Sequence, residues 1–96
     1  SLGDFAARYS PDGSKIVFLR DAAGSAGQIW VLDLTSRSSR LVYQPDDNYP
    51  AHVAWTVDGS GIIFPSGTNT LSLIDLKSNI ISNIITNKYF LILIQA

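Results

Sequence analysis

Tyr9-Ser10-Pro11-Asp12-Gly13-Ser14-Lys15-Ile16-Val17-Phe18 is the stretch that decides how this chain is read. An aromatic residue leads into a turn, and an apolar strand leaves it. Pro11 presets φ for the first turn position, Asp12 can bond its own backbone, and Gly13 can take the left-handed conformation that closes a tight reversal. The same pattern returns 46 residues on, where Arg8 to Phe18 aligns without a gap on Ala54-Trp55-Thr56-Val57-Asp58-Gly59-Ser60-Gly61-Ile62-Ile63-Phe64. A second pair, Ile29-Trp30-Val31-Leu32-Asp33-Leu34 and Leu71-Ser72-Leu73-Ile74-Asp75-Leu76, repeats at an offset of 42. The four-residue difference falls in the loop holding Ala22 to Gly27, where a true repeat tolerates it.

Each copy divides into four short strands. In the first they are residues 6–10, 15–20, 28–34 and 40–43; in the second, 52–56, 61–65, 70–76 and 80–86. Strands at this spacing with turn signals between them predict antiparallel meanders. In the central strands Ile16 and Phe18 face one way and Val17 and Leu19 the other, while Ile29 and Val31 oppose Trp30, Leu32 and Leu34. Both faces of each sheet are therefore apolar and both must be covered. Composition agrees: all eight acids are aspartates, glutamate and methionine are absent, and Ser, Thr, Asn, Gly, Ile and Val are plentiful, which disfavours helix.

A four-stranded unit, apolar on both faces and repeated at 40 to 45 residues, is the sequence form of a β-propeller blade. Tyr9 to Phe18 followed by Ile29 to Leu34 resembles the TolB-type, WD40-like propeller repeat, also found in the propellers of prolyl-oligopeptidase-family and tricorn-type peptidases. The second copy departs at Val57, where the repeat has Pro, and at Ser72, where it has an aromatic. The resulting expectation is an all-β chain of two four-stranded antiparallel blades: residues 1–45, then 46–87. Residues 88–96, with the apolar run Tyr89 to Ile94, form an extra strand or tail, read as the start of a third blade. Propellers close with four to eight blades, so the remaining blades are expected from a longer parent chain or from self-assembly.

Charge and composition exclude several functions. Seven Lys+Arg against eight Asp+Glu, scattered in sign, supply no basic stripe for a nucleic acid. Zero cysteine removes disulfides, thiolate metal sites and a cysteine nucleophile. The longest apolar run, six residues, is far short of the roughly 18 needed to span a bilayer as a helix. With no initiating methionine and no signal-like start, the chain is expected to be a piece of a longer polypeptide.

Candidate chemistry is thin. His52 is the only histidine available to a Ser-His-Asp triad and reads as a packed or channel-lining side chain. Ala23-Gly24-Ser25-Ala26-Gly27 lies in a hairpin loop rather than the strand-to-helix turn a nucleophile elbow needs. Asp46-Asp47-Asn48 fits no calcium loop and reads as a solvated connection. Asp12 and Asp58, each before glycine (Gly13, Gly59), read as turn formers rather than an acid–base pair. The repeat resemblance implies a structural hydrogen-bonding position for Asp33 and Asp75 at the ends of their strands. Trp30 and Trp55 read as core aromatics rather than a stacking platform. No phosphate loop, zinc spacing or dinucleotide fingerprint is present, so no cofactor and no metal is called for.

The reading is a non-catalytic, TolB-like propeller segment that binds protein or scaffolds, with Asp46, Asp47 and Tyr49 as the candidate partner-binding loop. The alternative is the accessory propeller of a prolyl-oligopeptidase-family serine peptidase whose catalytic domain lies elsewhere. A sugar- or calcium-binding propeller lyase would need histidines and acids from other blades. The resemblance implies a periplasmic or extracellular setting.

Overall fold

A computed structural model describes residues 4–22, 25–44, 52–67 and 70–85. Eight strands form two sheets: β1 (Asp4–Tyr9), β2 (Lys15–Ala22), β3 (Ser25–Asp33) and β4 (Ser38–Tyr43), then β5 (Ala54–Trp55), β6 (Gly61–Gly67), β7 (Thr70–Asp75) and β8 (Ile81–Ile85). Each sheet is an antiparallel meander in sequence order, β1-β2-β3-β4 and β5-β6-β7-β8. The expected all-β, two-by-four architecture is what the chain adopts.

Register sorts the side chains. Val17 lies opposite Val31, Leu19 opposite Ile29, and Phe18 opposite Trp30; Ile62 lies opposite Ile74 and Phe64 opposite Ser72. Because side chains alternate along a strand, Val17, Leu19, Ile29 and Val31 share one face of the first sheet. They pack with Val53, Ile62, Phe64 and Ile74 into one buried core, with Val42, Tyr43, Trp55 and Leu76 half-buried against it. The Phe64 ring is fully buried and meets the Tyr43 ring at 4.7 Å between centroids, tilted by 39°.

The ladders slip at equivalent places, between Ile29 and Trp30 on β3 and between Leu71 and Ser72 on β7, so even the bulges repeat. One difference has a local cause. β5 spans two residues instead of the expected 52–56. Thr56 and Gly61 are a hydrogen-bonded pair, Thr56 N–H donating to the Gly61 carbonyl at 2.9 Å, and such pairs alternate along an antiparallel ladder. With Ala54 opposite Ile63, the next donor position opposite His52 falls on Pro65, which has no N–H to give.

The two sheets also bond through side chains. The Trp55 indole Nε1–H donates to the Arg8 carbonyl at 3.0 Å. Arg40 on β4 donates to the Leu76 carbonyl at 2.8 Å and to Asn79 Oδ1 at 3.3 Å. The opposite face of the first sheet lacks a second layer among the described residues. There the Arg20 guanidinium lies over the Trp30 ring at 4.5 Å and the Phe18 ring at 5.3 Å, shielding aromatic surface.

Candidate functional site: the turn rim

Four polar turns line one end of the two sheets. In the β1–β2 turn, Asp12 Oδ1 accepts from Ser14 N–H at 2.9 Å, Ser14 Oγ–H at 2.7 Å and Ser10 Oγ–H at 2.8 Å. Ser10 Oγ in turn accepts from Lys15 N–H at 3.0 Å. The β5–β6 turn repeats this bond for bond: Asp58 Oδ1 accepts from Ser60 N–H at 3.0 Å, Ser60 Oγ–H at 2.7 Å and Thr56 Oγ1–H at 2.8 Å, while Thr56 Oγ1 accepts from Gly61 N–H at 3.0 Å. Gly13 and Gly59 take φ of +76° and +75°, the conformation a side chain resists. Pro11 is thus dispensable for the turn geometry, since Val57 stands in its place with 95% of its surface exposed.

The second pair of turns is built on Asp33 and Asp75. Asp33 Oδ1 accepts from Thr35 N–H at 2.9 Å and Ser36 N–H at 3.1 Å; Asp75 Oδ1 accepts from Lys77 N–H at 2.9 Å and Ser78 N–H at 3.0 Å. Each turn closes through a residue of positive φ, Arg37 at +59° and Asn79 at +62°, whose N–H donates to the carbonyl of Asp33 or Asp75.

Hydrogen bonds to a carboxylate favour its charged form. The Ser14 amide and hydroxyl and the Ser10 hydroxyl hold Asp12 down, from an ordinary 3.8 to about 2. The Ser60 amide and hydroxyl with the Thr56 hydroxyl do the same for Asp58, also to about 2. Asp33 is lowered chiefly by the Ser36 and Thr35 amides, and Asp75 by the Ser78 and Lys77 amides. All four are anions at neutral pH with one oxygen fully used, a poor state for a general acid or base, which needs a pKa near the working pH.

The remaining sequence candidates separate. His52 is exposed, just ahead of β5, so of the packed and channel-lining readings the packed one fails. Trp55 bridges the sheets as described, whereas Trp30 lies on the far face of the first sheet and donates its Nε1–H to Gln28 Oε1 at 3.1 Å. Asp46, Asp47 and Tyr49, the Ala23–Gly24 loop and residues 88–96 lie outside the described residues. Among the described residues no three His, Asp, Glu or Cys side chains converge as a metal site would require. Sequence reasoning missed Arg40, whose inter-sheet role depends on how the sheets stack, and the positive-φ position at Arg37. For the latter a signal existed: Asn79, at the equivalent place, is a residue type that tolerates that conformation.

No protein-family model matches the sequence, and no curated protein matches it. The structure is similar to the crystal structure of TolB from Acinetobacter baumannii, with a TM-score of 0.64 and 27% identity over 90% of this chain. The match spans 21% of that TolB chain. The two sheets are TolB-like propeller blades.

Proposed function

We propose that this propeller segment binds or scaffolds other proteins and performs no catalysis of its own. The observation that supports it is the commitment of the rim carboxylates: Asp12, Asp33, Asp58 and Asp75 each spend an oxygen on closing a turn. The facing sides of the sheets are occupied with each other, so contact with a partner falls to the loops, the usual carriers of function on a rigid scaffold. Asp46, Asp47 and Tyr49 in the inter-blade connection are the proposed contact residues. The likeness to TolB extends to a periplasmic or extracellular setting in this proposal. The peptidase-accessory alternative rests on the same repeat and draws no separate support from the site.

The test is site-specific photocrosslinking in cells from position 49 and from the exposed Val57, with adducts identified by mass spectrometry and affinity then measured with the purified partner. A discrete adduct, and an affinity lowered at least about tenfold (about 1.4 kcal/mol) by D46A/D47A/Y49A, is expected. Absence of any protein adduct, or hydrolysis of ester or peptide substrates by the purified chain, would overturn the proposal.

A further inference from the structure

The free edge of the second sheet is built differently from that of the first. β8 ends the order β5-β6-β7-β8, and among the described residues no strand lies beyond it. Natural edge strands are commonly guarded by a charged side chain or a proline. Between Asn79 and Asn87 the sequence has neither: Ile80-Ile81-Ser82-Asn83-Ile84-Ile85-Thr86 carries no charge, no proline and no glycine. Ile80, Ile81 and Ile84 are left exposed. The slip in the β7–β8 ladder has its match between β3 and β4, so it does not distinguish the two edges.

Backbone direction decides which residues of this edge can pair outward. Asp75 N–H donates to the Ile80 carbonyl at 3.0 Å, so Ile80 turns toward β7. Backbone groups alternate along a strand. Ser82, opposite Leu73, therefore also turns inward, and the N–H and C=O of Ile81 and Asn83 point away from the sheet. These outward groups flank Ser82. An antiparallel copy laid along β8 with Ser82 opposite Ser82 pairs Ile81 of each chain with Asn83 of the other, every outward N–H meeting a C=O around a two-fold axis. The same register brings Ile80 of each chain opposite Ile84 of the other, which covers exposed apolar surface on both sides of the axis.

The repeat shows why this edge accepts its own copy and the other does not. Arg40 lies opposite Val31 on β4 as Ser82 lies opposite Leu73 on β8. A copy of β4 in the equivalent register would set Arg40 against Arg40, and like charges directly opposite destabilise a strand pair. Ser82 removes that barrier. We propose that β8 pairs antiparallel with β8 of a second copy of this chain, about a two-fold axis at Ser82, so that the two second sheets become one continuous sheet. The pairing uses an edge and leaves the turn rim and the inter-blade connection untouched, so it stands independently of the protein-contact reading above. It is also closed, because each chain spends its free β8 edge on the other.

The experiment is sedimentation velocity of the 96-residue chain from about 10 µM to about 1 mM, the range suited to an interface of this small size. A monomer–dimer equilibrium is expected. Ser82→Lys, which installs a cation where β4 carries Arg40, should raise the dimer dissociation constant at least about tenfold while leaving the far-ultraviolet circular dichroism unchanged. Leu41→Lys, on the outward face of the first sheet, should leave the constant unchanged. The register has its own readout, since the chain has no cysteine. Directly opposed, non-hydrogen-bonded residues sit about 4.5 Å apart at Cα, within the span of a disulfide. With oxidised glutathione as oxidant, Ser82→Cys should therefore form a covalent dimer at least about tenfold faster than Val57→Cys, whose thiol is exposed but remote. A chain that stays monomeric at the highest concentration, a mass that climbs past the dimer, or a dimer that survives S82K or is lost in L41K would overturn the proposal. So would equal cross-linking rates for S82C and V57C.

Discussion

Gly61→Ala is the smallest change that should register across the second sheet. Gly61 opens β6 opposite Asp75, and a Cβ placed on it would stand 2.8 Å from the Ile74 carbonyl oxygen and 2.9 Å from Leu73 Cδ1, with Thr56 Cγ2 at 3.5 Å. Leu73 can rotate away, but the Ile74 carbonyl belongs to the backbone of a paired strand. Relief requires β7 to move by a few tenths of an ångström while Ile74 stays packed in the core. Overpacking of this kind costs about 1 to 3 kcal/mol. Against it stands a gain of about 0.4 to 1 kcal/mol, because alanine restricts the unfolded chain more than glycine does. The net expectation is a loss of about 1 to 2 kcal/mol, equivalent for a domain of this size to a fall in Tm of roughly 4 to 16 °C. Urea denaturation followed by circular dichroism measures it, the midpoint falling while the slope m stays constant. Leu73→Val, which installs the residue type found at the equivalent Val31, should recover part of the loss by removing the Cδ1 contact. If Gly61→Ala leaves stability unchanged or raises it, the close approach of β6 to β7 that defines this end of the sheet is wrong.

Three further outcomes are expected. A double-mutant cycle on Tyr43→Leu and Phe64→Leu should return a coupling of about 0.5 to 1.5 kcal/mol from the tilted ring pair between the sheets; additive effects would deny that contact. Arg37→Asn should raise the denaturation midpoint by an amount worth about 0.5 to 1 kcal/mol, because Arg37 sits at φ +59° where Asn79 already occupies the matching position. In an acid titration, Asp12 and Asp58 have folded pKa values near 2, below an ordinary 3.8. Their contribution is therefore present above about pH 4 and is lost as pH falls toward 2. D12N/D58N should flatten that part of the stability profile, and an unchanged slope would show that the turn bonds do not form in solution.

Most of the fold was legible because its signals are local. Pro11-Asp12-Gly13 and Asp58-Gly59 carry turn chemistry in adjacent residues, and the alternation of Ile16, Val17, Phe18 and Leu19 states both faces of β2 at once. The short β5 was not legible because its cause, Pro65, lies on the neighbouring strand and acts only once register places it opposite His52. Arg40 shows the same limit for the site. Nothing around it in sequence marks it as a bridge, and its partners at Leu76 and Asn79 are 36 and 39 residues away.

The repeat also assigns a direction to the sheets. Phe64, packed against Tyr43 of the first sheet, corresponds to Phe18; Ile62 corresponds to Ile16, Ile74 to Leu32 and Trp55 to Tyr9. The face that the second sheet presses onto the first is therefore the same face that the first sheet turns outward, where Arg20 covers Phe18 and Trp30 and Tyr9 is 68% exposed. The opposite faces correspond in the same way: Val17, Leu19, Ile29 and Val31 in the core answer to Ile63, Pro65, Leu71 and Leu73. Each sheet thus has a leading face and a trailing face of different composition, and the observed contact joins one trailing to one leading. Such an arrangement can be extended head to tail, as blades of a ring are. If the broad faces meet other blades, as proposed, recognition of anything else is confined to the rims, to the strand edges and to the clefts between sheets. On that reading the proposed partner contacts lie in a connecting loop.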